Sequence, residues 1–502
     1  VSSERAFKRK PIERLRHVSE DISRGLRGPN GLQERLQLRK EKHEIKKILK
    51  EIPAYTEFKT GDELQAGGRQ LAVDFPGLTD SGFLKVHEEF GTSTEGKAID
   101  LLEIGPEKSK RTVMWVGTPH PNEAVGTLAI DFMSRYLCEH PEVAERLETK
   151  FIFIKNADPD GLELNEGWLK KLKKGEMDPL EYALGFYRPP YGEEFEWDFP
   201  IDYKTLHFSK DEASNESKML KKAFDKYRPD FYYSLHNNGF GSAYFGIYPP
   251  RDELFSPLQQ LIKDQDLTLN TGEPELPFMK RYADGMYKVI KARDNYDYFN
   301  QLEGDPADRI QGGARAIDYL QSIVQNAVCL MPEIPYFTAD ALKDNRPSGK
   351  TRRQILSEQA EAREKIVTFM EGQFNKLQEQ NELPDSSLKH AVEKRIEVIR
   401  NFNAANQKEA EKSEYLTKVT KAEEYRAVQV ESFMEVIHLG QVYQLALQAG
   451  EIEQAEEIKA YIEKVIDDIN QVSPIKAVPL QKLVAVQVGA GLITQQHLAQ
   501  AA

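Results

Sequence analysis

Two cysteines in 502 residues, Cys138 and Cys329, are too few for a disulfide framework or a cysteine-based zinc site. Any metal in this chain is therefore expected on histidine, aspartate or glutamate. No stretch approaches the ~18 consecutive apolar residues of a membrane span, and the opening residues lack the apolar segment of a secretory signal. A membrane span is not expected, and the cytoplasm is the expected location. Repeats of fixed period and low-complexity tracts are missing too, which argues against a solenoid or a structureless linker protein.

What is present reads as globular, with 40% hydrophobic and 30% charged residues over a length that suits one large domain and a smaller companion. Net charge is −13, unevenly spread: residues 1–50 carry 15 Lys and Arg against 7 Asp and Glu, so the remainder is the more acidic. Scattered acids and the lack of interleaved aromatics argue against a nucleic-acid partner for this arm, which is expected to be a charged helix. Its "QERLQLRKEKHEIKKILK" at 33–50 has a loosely helical apolar pattern.

From about 54 to 375, apolar runs alternate with helical stretches. "RTVMWVG", "KFIFIKNADPDG", "PDFYYSLHN" and "NAVCLMP" are expected strands, while "EAVGTLAIDFMSRYLCEH" and "NESKMLKKAFDKY" are expected helices. Such alternation predicts an α/β domain with a mixed, mostly parallel sheet flanked by helices. After about 380 the strand signals fade. Leu388, Val392, Ile396, Ile399 and Phe402, then Ile452, Ala455, Ile458, Ile462, Val465 and Ile469, recur at helical spacing. Three segments are expected: a basic helical arm over 1–53, an α/β domain over 54–375, and a helical region over 376–502. Docking on the α/β domain and pairing with a second copy are both open for that apolar stripe. The closing "LVAVQVGAGLITQQHL" is expected to return to a sheet or form a small cap.

Candidate chemistry gathers at strand ends. His120 and Glu123 in "GTPHPNE" follow the first of these strands, His236 follows "DFYYSL", and Glu333 closes "NAVCLMP". In open α/β sheets the loops at the carboxyl ends of strands converge, so all four residues are expected at one point. Taken singly, each has a plainer reading as a loop histidine, a turn histidine or a rim acid. Together, two imidazoles and a carboxylate suit one zinc ion, and a further carboxylate suits a general base.

These motifs, in this order, resemble the zinc metallocarboxypeptidase family, the group of carboxypeptidase A and its deacylase relatives. His120-x-x-Glu123 matches the family's paired ligands, "SLHNN" the segment with the third ligand, here His236, and "NADPDG" its asparagine-proline-aspartate-glycine turn. "GGARAIDYLQSIVQNAVCLMPEIPYF" resembles the run from specificity pocket to catalytic glutamate, here Glu333. The likeness spans roughly residues 55–375. It implies one zinc per chain and hydrolysis of peptide or amide bonds, with a small N-acyl amino acid as the alternative substrate of the succinylglutamate desuccinylase and aspartoacylase type. A catalytically silent binding module is the remaining alternative.

The chain departs from the family pattern where members grip the substrate carboxylate. Setting "EFEWDFP" on the family's D-x-N-R-N-F block puts Glu194 at the acid, Glu196 at the asparagine and Trp197 at the arginine. Tryptophan cannot supply the bidentate fork of a guanidinium. Arg188 or Arg315 is expected to substitute, Ile317 falls at the family's pocket-floor position, and Arg188 or one of the lysines in "WLKKLKKG" is expected to face a developing oxyanion.

Overall fold

The computed structural model describes residues 43–500, apart from 174, 191–193, 210, 212, 273, 275, 277, 302, 311, 411 and 412. Most of the expected basic arm lies outside the described residues. By compactness the chain divides into Val1–Ile52 and Pro53–Ala502. In the first unit, residues 43–51 form a helix.

The second unit is built on a nine-stranded sheet. Its strands are β1 (Leu84–Thr92), β2 (Ala98–Ile104), β3 (Arg111–Val116), β4 (Thr149–Ile154), β5 (Phe231–Ser234), β6 (Tyr244–Tyr248), β7 (Arg281–Ala283), β8 (Met286–Lys288) and β9 (Val328–Glu333), in the spatial order β1-β2-β4-β3-β5-β9-β6-β8-β7. The centre is parallel: β4 with β3, β3 with β5, and β5 with β9. Antiparallel pairings flank it on both sides, between β1 and β2, β2 and β4, and β9 and β6. Parallel strands need covering helices on both faces, and their residues are accordingly buried along their length: every residue of β5, four of six in β3 and five of six in β4 are buried.

The covering helices are α1 (Gly61–Asp74), α2 (Val125–Glu139), α3 (Pro159–Leu169), α4 (Pro179–Gly185), α5 (Asn215–Tyr227), α6 (Asp252–Asp264) and α7 (Ala316–Ile323). Beyond the sheet come α8 (Arg352–Gln380), α9 (Ser387–Ala410), α10 (Glu431–Gln448), α11 (Ile452–Val472) and α12 (Leu480–Gln500). The helical stripe is buried as its spacing predicts at Leu388, Val392, Ala455, Ile458 and Ile462. Ile452 differs: it opens α11 and is 57% exposed.

The closing apolar stretch is neither a strand nor a small cap. It forms the 21-residue helix α12, buried nearly all round, and packs against α2 and α6. A helix apolar on every face belongs inside a protein rather than on it. Gly491 lets it lie against the sheet, since a Cβ there would sit 2.3 Å from Trp115 Cζ2 on β3 and 2.9 Å from Tyr233 Cε1 on β5. No helix among the described residues is long and apolar enough to cross a membrane.

Candidate metal centre

Strands β3, β5 and β9 are adjacent and parallel, so their carboxyl ends open at the same edge of the sheet. The segment leaving β3 turns sharply. Gly117 passes so close to β4 that a Cβ would meet Lys155 O at 2.3 Å, and Thr118 adopts a positive φ of 51°. The "NADPDG" turn holds this bend, with Thr118 Oγ1 donating to Asn156 Oδ1 at 2.7 Å and accepting from Ala157 N at 2.9 Å. Asp158 of the same turn caps α3 by accepting from Gly161 N, and burial raises its carboxyl pKa to about 7. Tyr336 fixes the far side, its hydroxyl donating to Asn122 O and accepting from Ala124 N.

These constraints bring His120, Glu123 and His236 together, each buried, with one ligand atom from each lying within 4.8 Å of the others. His120 Nδ1 is 2.8 Å from Glu123 Oε1, and His236 Nδ1 is 3.0 Å from Glu123 Oε2. Glu333 reaches the same place from the end of β9, its Oε1 3.9 Å from His236 Nδ1.

The outer nitrogen of each imidazole is held by a further carboxylate. His236 Nε2 lies 3.0 Å from Glu196 Oε2 and 2.9 Å from Ser234 Oγ, and His120 Nε2 lies 3.3 Å from Glu194 Oε2. A carboxylate behind a histidine fixes its tautomer and raises its basicity toward a metal. Glu196 is itself held by hydrogen bonds from Ser234 Oγ at 2.6 Å and from Tyr232 Oη. Arg188 joins the group, its Nε donating to Glu194 at 2.6 Å and its Nη2 lying 2.9 Å from His120 Nε2. Arg315 approaches from the start of α7, 3.7 Å from Glu196 and over the Trp197 ring at 4.5 Å.

The electrostatics favour a cation at the centre. Burial disfavours the His236 imidazolium, yet Glu196 and Glu123 outweigh it and lift the pKa to about 10. Burial likewise opposes charge on Glu194, Glu123 and Glu196, but Arg188 and His120 hold the Glu194 carboxyl at about 2, the two histidines hold Glu123 well below the usual carboxylate range, and His236 with Arg315 does the same for Glu196. Four carboxylates, those of Glu123, Glu194, Glu196 and Glu333, face two guanidiniums here. With neutral imidazoles the surplus matches a divalent ion, and the donor set of two nitrogens and a carboxylate is one that zinc accepts.

The remaining expected residues fall elsewhere. Ile317 is 1% exposed within the main apolar cluster of the sheet. Lys170 pairs with Glu63, Lys171 with Glu181 and Lys173 with Asp178, so these three face other partners than the centre; Lys174 lies outside the described residues. Sequence reasoning did not single out Glu194 and Glu196 as partners of the imidazoles, nor Tyr232 and Ser234 behind them. The signal for the latter two was the strand period, since residues 232, 234 and 236 alternate onto one side of an extended chain.

Residues 81–246, which include His120, Glu123 and His236, match the family model described as zinc carboxypeptidase. Solved structures with similarity include carboxypeptidase A from Helicoverpa armigera, 18% identical with a TM-score of 0.36, covering 60% of this chain and 72% of that one. A metallo-carboxypeptidase from Burkholderia cenocepacia is 13% identical with a TM-score of 0.30; the match covers 53% of this chain and 59% of the Burkholderia chain. Bovine thrombin-activatable fibrinolysis inhibitor, solved with tick carboxypeptidase inhibitor, is 10% identical with a TM-score of 0.32, over 56% of this chain and 87% of that one. No curated protein matches the chain.

Proposed function

We propose that the protein, whose residues 81–246 match the zinc carboxypeptidase model, is a zinc-dependent hydrolase of peptide or amide bonds. One observation carries this reading: two imidazole Nδ1 atoms and the Glu123 carboxylate converge at one sheet edge, with Glu333 beside them. His120, Glu123 and His236 would hold one zinc, which when bound supplies Lewis-acid activation of water and of a scissile carbonyl.

The rest of the chemistry belongs to the chain. Glu333, 18% exposed at the side chain, is open to substrate on one side and near the ligands on the other. Its carboxylate takes a proton from the attacking water and passes it to the leaving amine. Arg188, 29% exposed and held in place by Glu194, faces the developing oxyanion with a fixed positive charge. Glu194 and Glu196 orient the two imidazoles.

Recognition of a substrate carboxylate is atypical in this reading. Arg188 is engaged by Glu194, Glu123 and His120, and Arg315 by Glu196 and Trp197, so neither guanidinium is set apart as a clamp.

Incubating the zinc-loaded protein with a pool of free and blocked peptides and N-acyl amino acids, read by mass spectrometry, tests the proposal. Cleavage is expected in wild type and is expected to vanish in Glu333→Gln with zinc still bound. A zinc-loaded wild type that hydrolyses nothing in the pool refutes it.

A further inference from the structure

The peptide unit joining His236 to Asn237 touches both halves of the metal centre. Its N–H donates to Glu123 Oε2 at 3.0 Å, and its carbonyl belongs to the ligand His236. That carbonyl is buried and accepts from Gln487 Nε2 at 3.0 Å, in the middle of α12. A peptide unit is planar, so whatever fixes its carbonyl also fixes its N–H. One side chain on α12 thereby orients one metal ligand and the hydrogen bond to another.

Gln487 is out of place by composition. It is fully buried amid Val484, Ala485, Val486 and Val488, and its Oε1 has no partner among the described residues. Burying an amide in apolar surroundings is costly unless its bonds are made, so its position implies that the donated bond matters. The rotation of α12 that aims it is set twice over: Gly491 seats the helix on Trp115, and Tyr233 Oη donates to Gln487 O at 2.7 Å.

We infer that Gln487 is a positioning residue for the metal centre, holding the His236–Asn237 peptide so that His236 and Glu123 keep a geometry that binds zinc. The inference rests on the reading of His120, Glu123 and His236 as metal ligands. Metal sites tolerate only small displacements of their donors, and loss of a residue that orients a ligand weakens metal binding by roughly 10- to 100-fold.

The test uses the full-length protein loaded with zinc or with cobalt(II), comparing wild type, Gln487→Met and Gln454→Met. Methionine keeps the length and removes the donor. Gln454 is the control, a buried glutamine whose Nε2 donates to Gln373 O at 2.7 Å between α11 and α8, where it touches no ligand. Zinc affinity by competition with a chelator, the visible spectrum of the cobalt form, and the thermal midpoint are measured for each. Gln487→Met is expected to bind zinc roughly 10- to 100-fold more weakly, with altered cobalt bands, while Gln454→Met loses thermal stability but keeps wild-type affinity and bands. If Gln487→Met does not fold, Gln487→Asn takes its place, keeping an amide one bond too short to reach the carbonyl. Wild-type affinity and bands in the Gln487 variant overturn the inference, as does equal weakening in Gln454→Met, which marks general loosening. A wild type that binds neither metal overturns the ligand reading itself and this inference with it.

Discussion

Arg315 lies over Trp197, its guanidinium carbon 4.5 Å from the ring centroid, while its Nη2 reaches within 3.7 Å of Glu196. The tryptophan that occupies the expected place of a carboxylate-binding arginine thus engages an arginine from another element, and that arginine is already paired. A charge-assisted contact to a free chain end is worth about 1.5–3 kcal/mol, or ten- to a hundredfold in preference. One peptide presented as free acid and as C-terminal amide is therefore expected to be cleaved with less than roughly tenfold preference for the acid. A larger preference that disappears in Arg315→Ala would show that the arginine leaves Glu196 to grip substrate.

Arg188 is expected to act on the reaction rather than on metal retention. Arg188→Ala should lower kcat by roughly 10²–10³-fold, the usual cost of an oxyanion donor, while zinc content stays near wild type. Equal kcat in the variant, by steady-state kinetics on the best peptide of the pool, would remove Arg188 from that role.

The metal itself gives a direct prediction. Wild type is expected to carry about one zinc per chain, largely lost in His236→Ala, with far-ultraviolet circular dichroism unchanged. Elemental analysis that finds equal zinc in both proteins would exclude His236 as a ligand.

Acid stability should report Glu103, far from the centre on β2. Its carboxylate is nearly buried; burial opposes its charge, but Lys150 and His87 hold its pKa at about 2. A carboxyl depressed on folding contributes stability above its unfolded pKa and loses it as pH falls toward the folded value. Wild type should therefore lose roughly 2–3 kcal/mol between about pH 5 and pH 2 through this group, a loss that Glu103→Gln lacks. Parallel urea titrations across that range measure it, and identical slopes would refute it.

Gly491→Ala should destabilise the protein by about 1–3 kcal/mol, because the added carbon would overlap the rings of Trp115 and Tyr233, both of them buried. Urea midpoints of the two proteins decide the matter.

The central fold was legible because buried parallel strands write themselves as short apolar runs. The strands expected around residues 112–117, 151–155, 230–235 and 327–332 lie at β3, β4, β5 and β9, and three of them, β3, β5 and β9, lead into the candidate residues His120, Glu123, His236 and Glu333. The outer strands β7 and β8, three residues each, carry no such run. The last helix was misread for a related reason. Residues 483–493 are apolar but for Gln487, so no period separates helix from strand, and its burial against Trp115 and Tyr233 settles the matter. At the centre, spacing and motif order pointed to the ligand candidates, but the partners of their outer nitrogens lie in a loop where no periodicity operates. Glu194 and Glu196 could be found only once the imidazoles were in place.

The seating of α12 also bears on how the chain reaches this state. Arg111 at the start of β3 donates to the carbonyl of Ala499, 388 residues later, and Tyr233 to Gln487, 254 residues later. In whatever order the strands between 111 and 333 pair, the face that α12 covers stays open until 480–500 docks. Contacts this distant in sequence close slowly, and an open sheet is a surface on which partly folded chains adhere to one another.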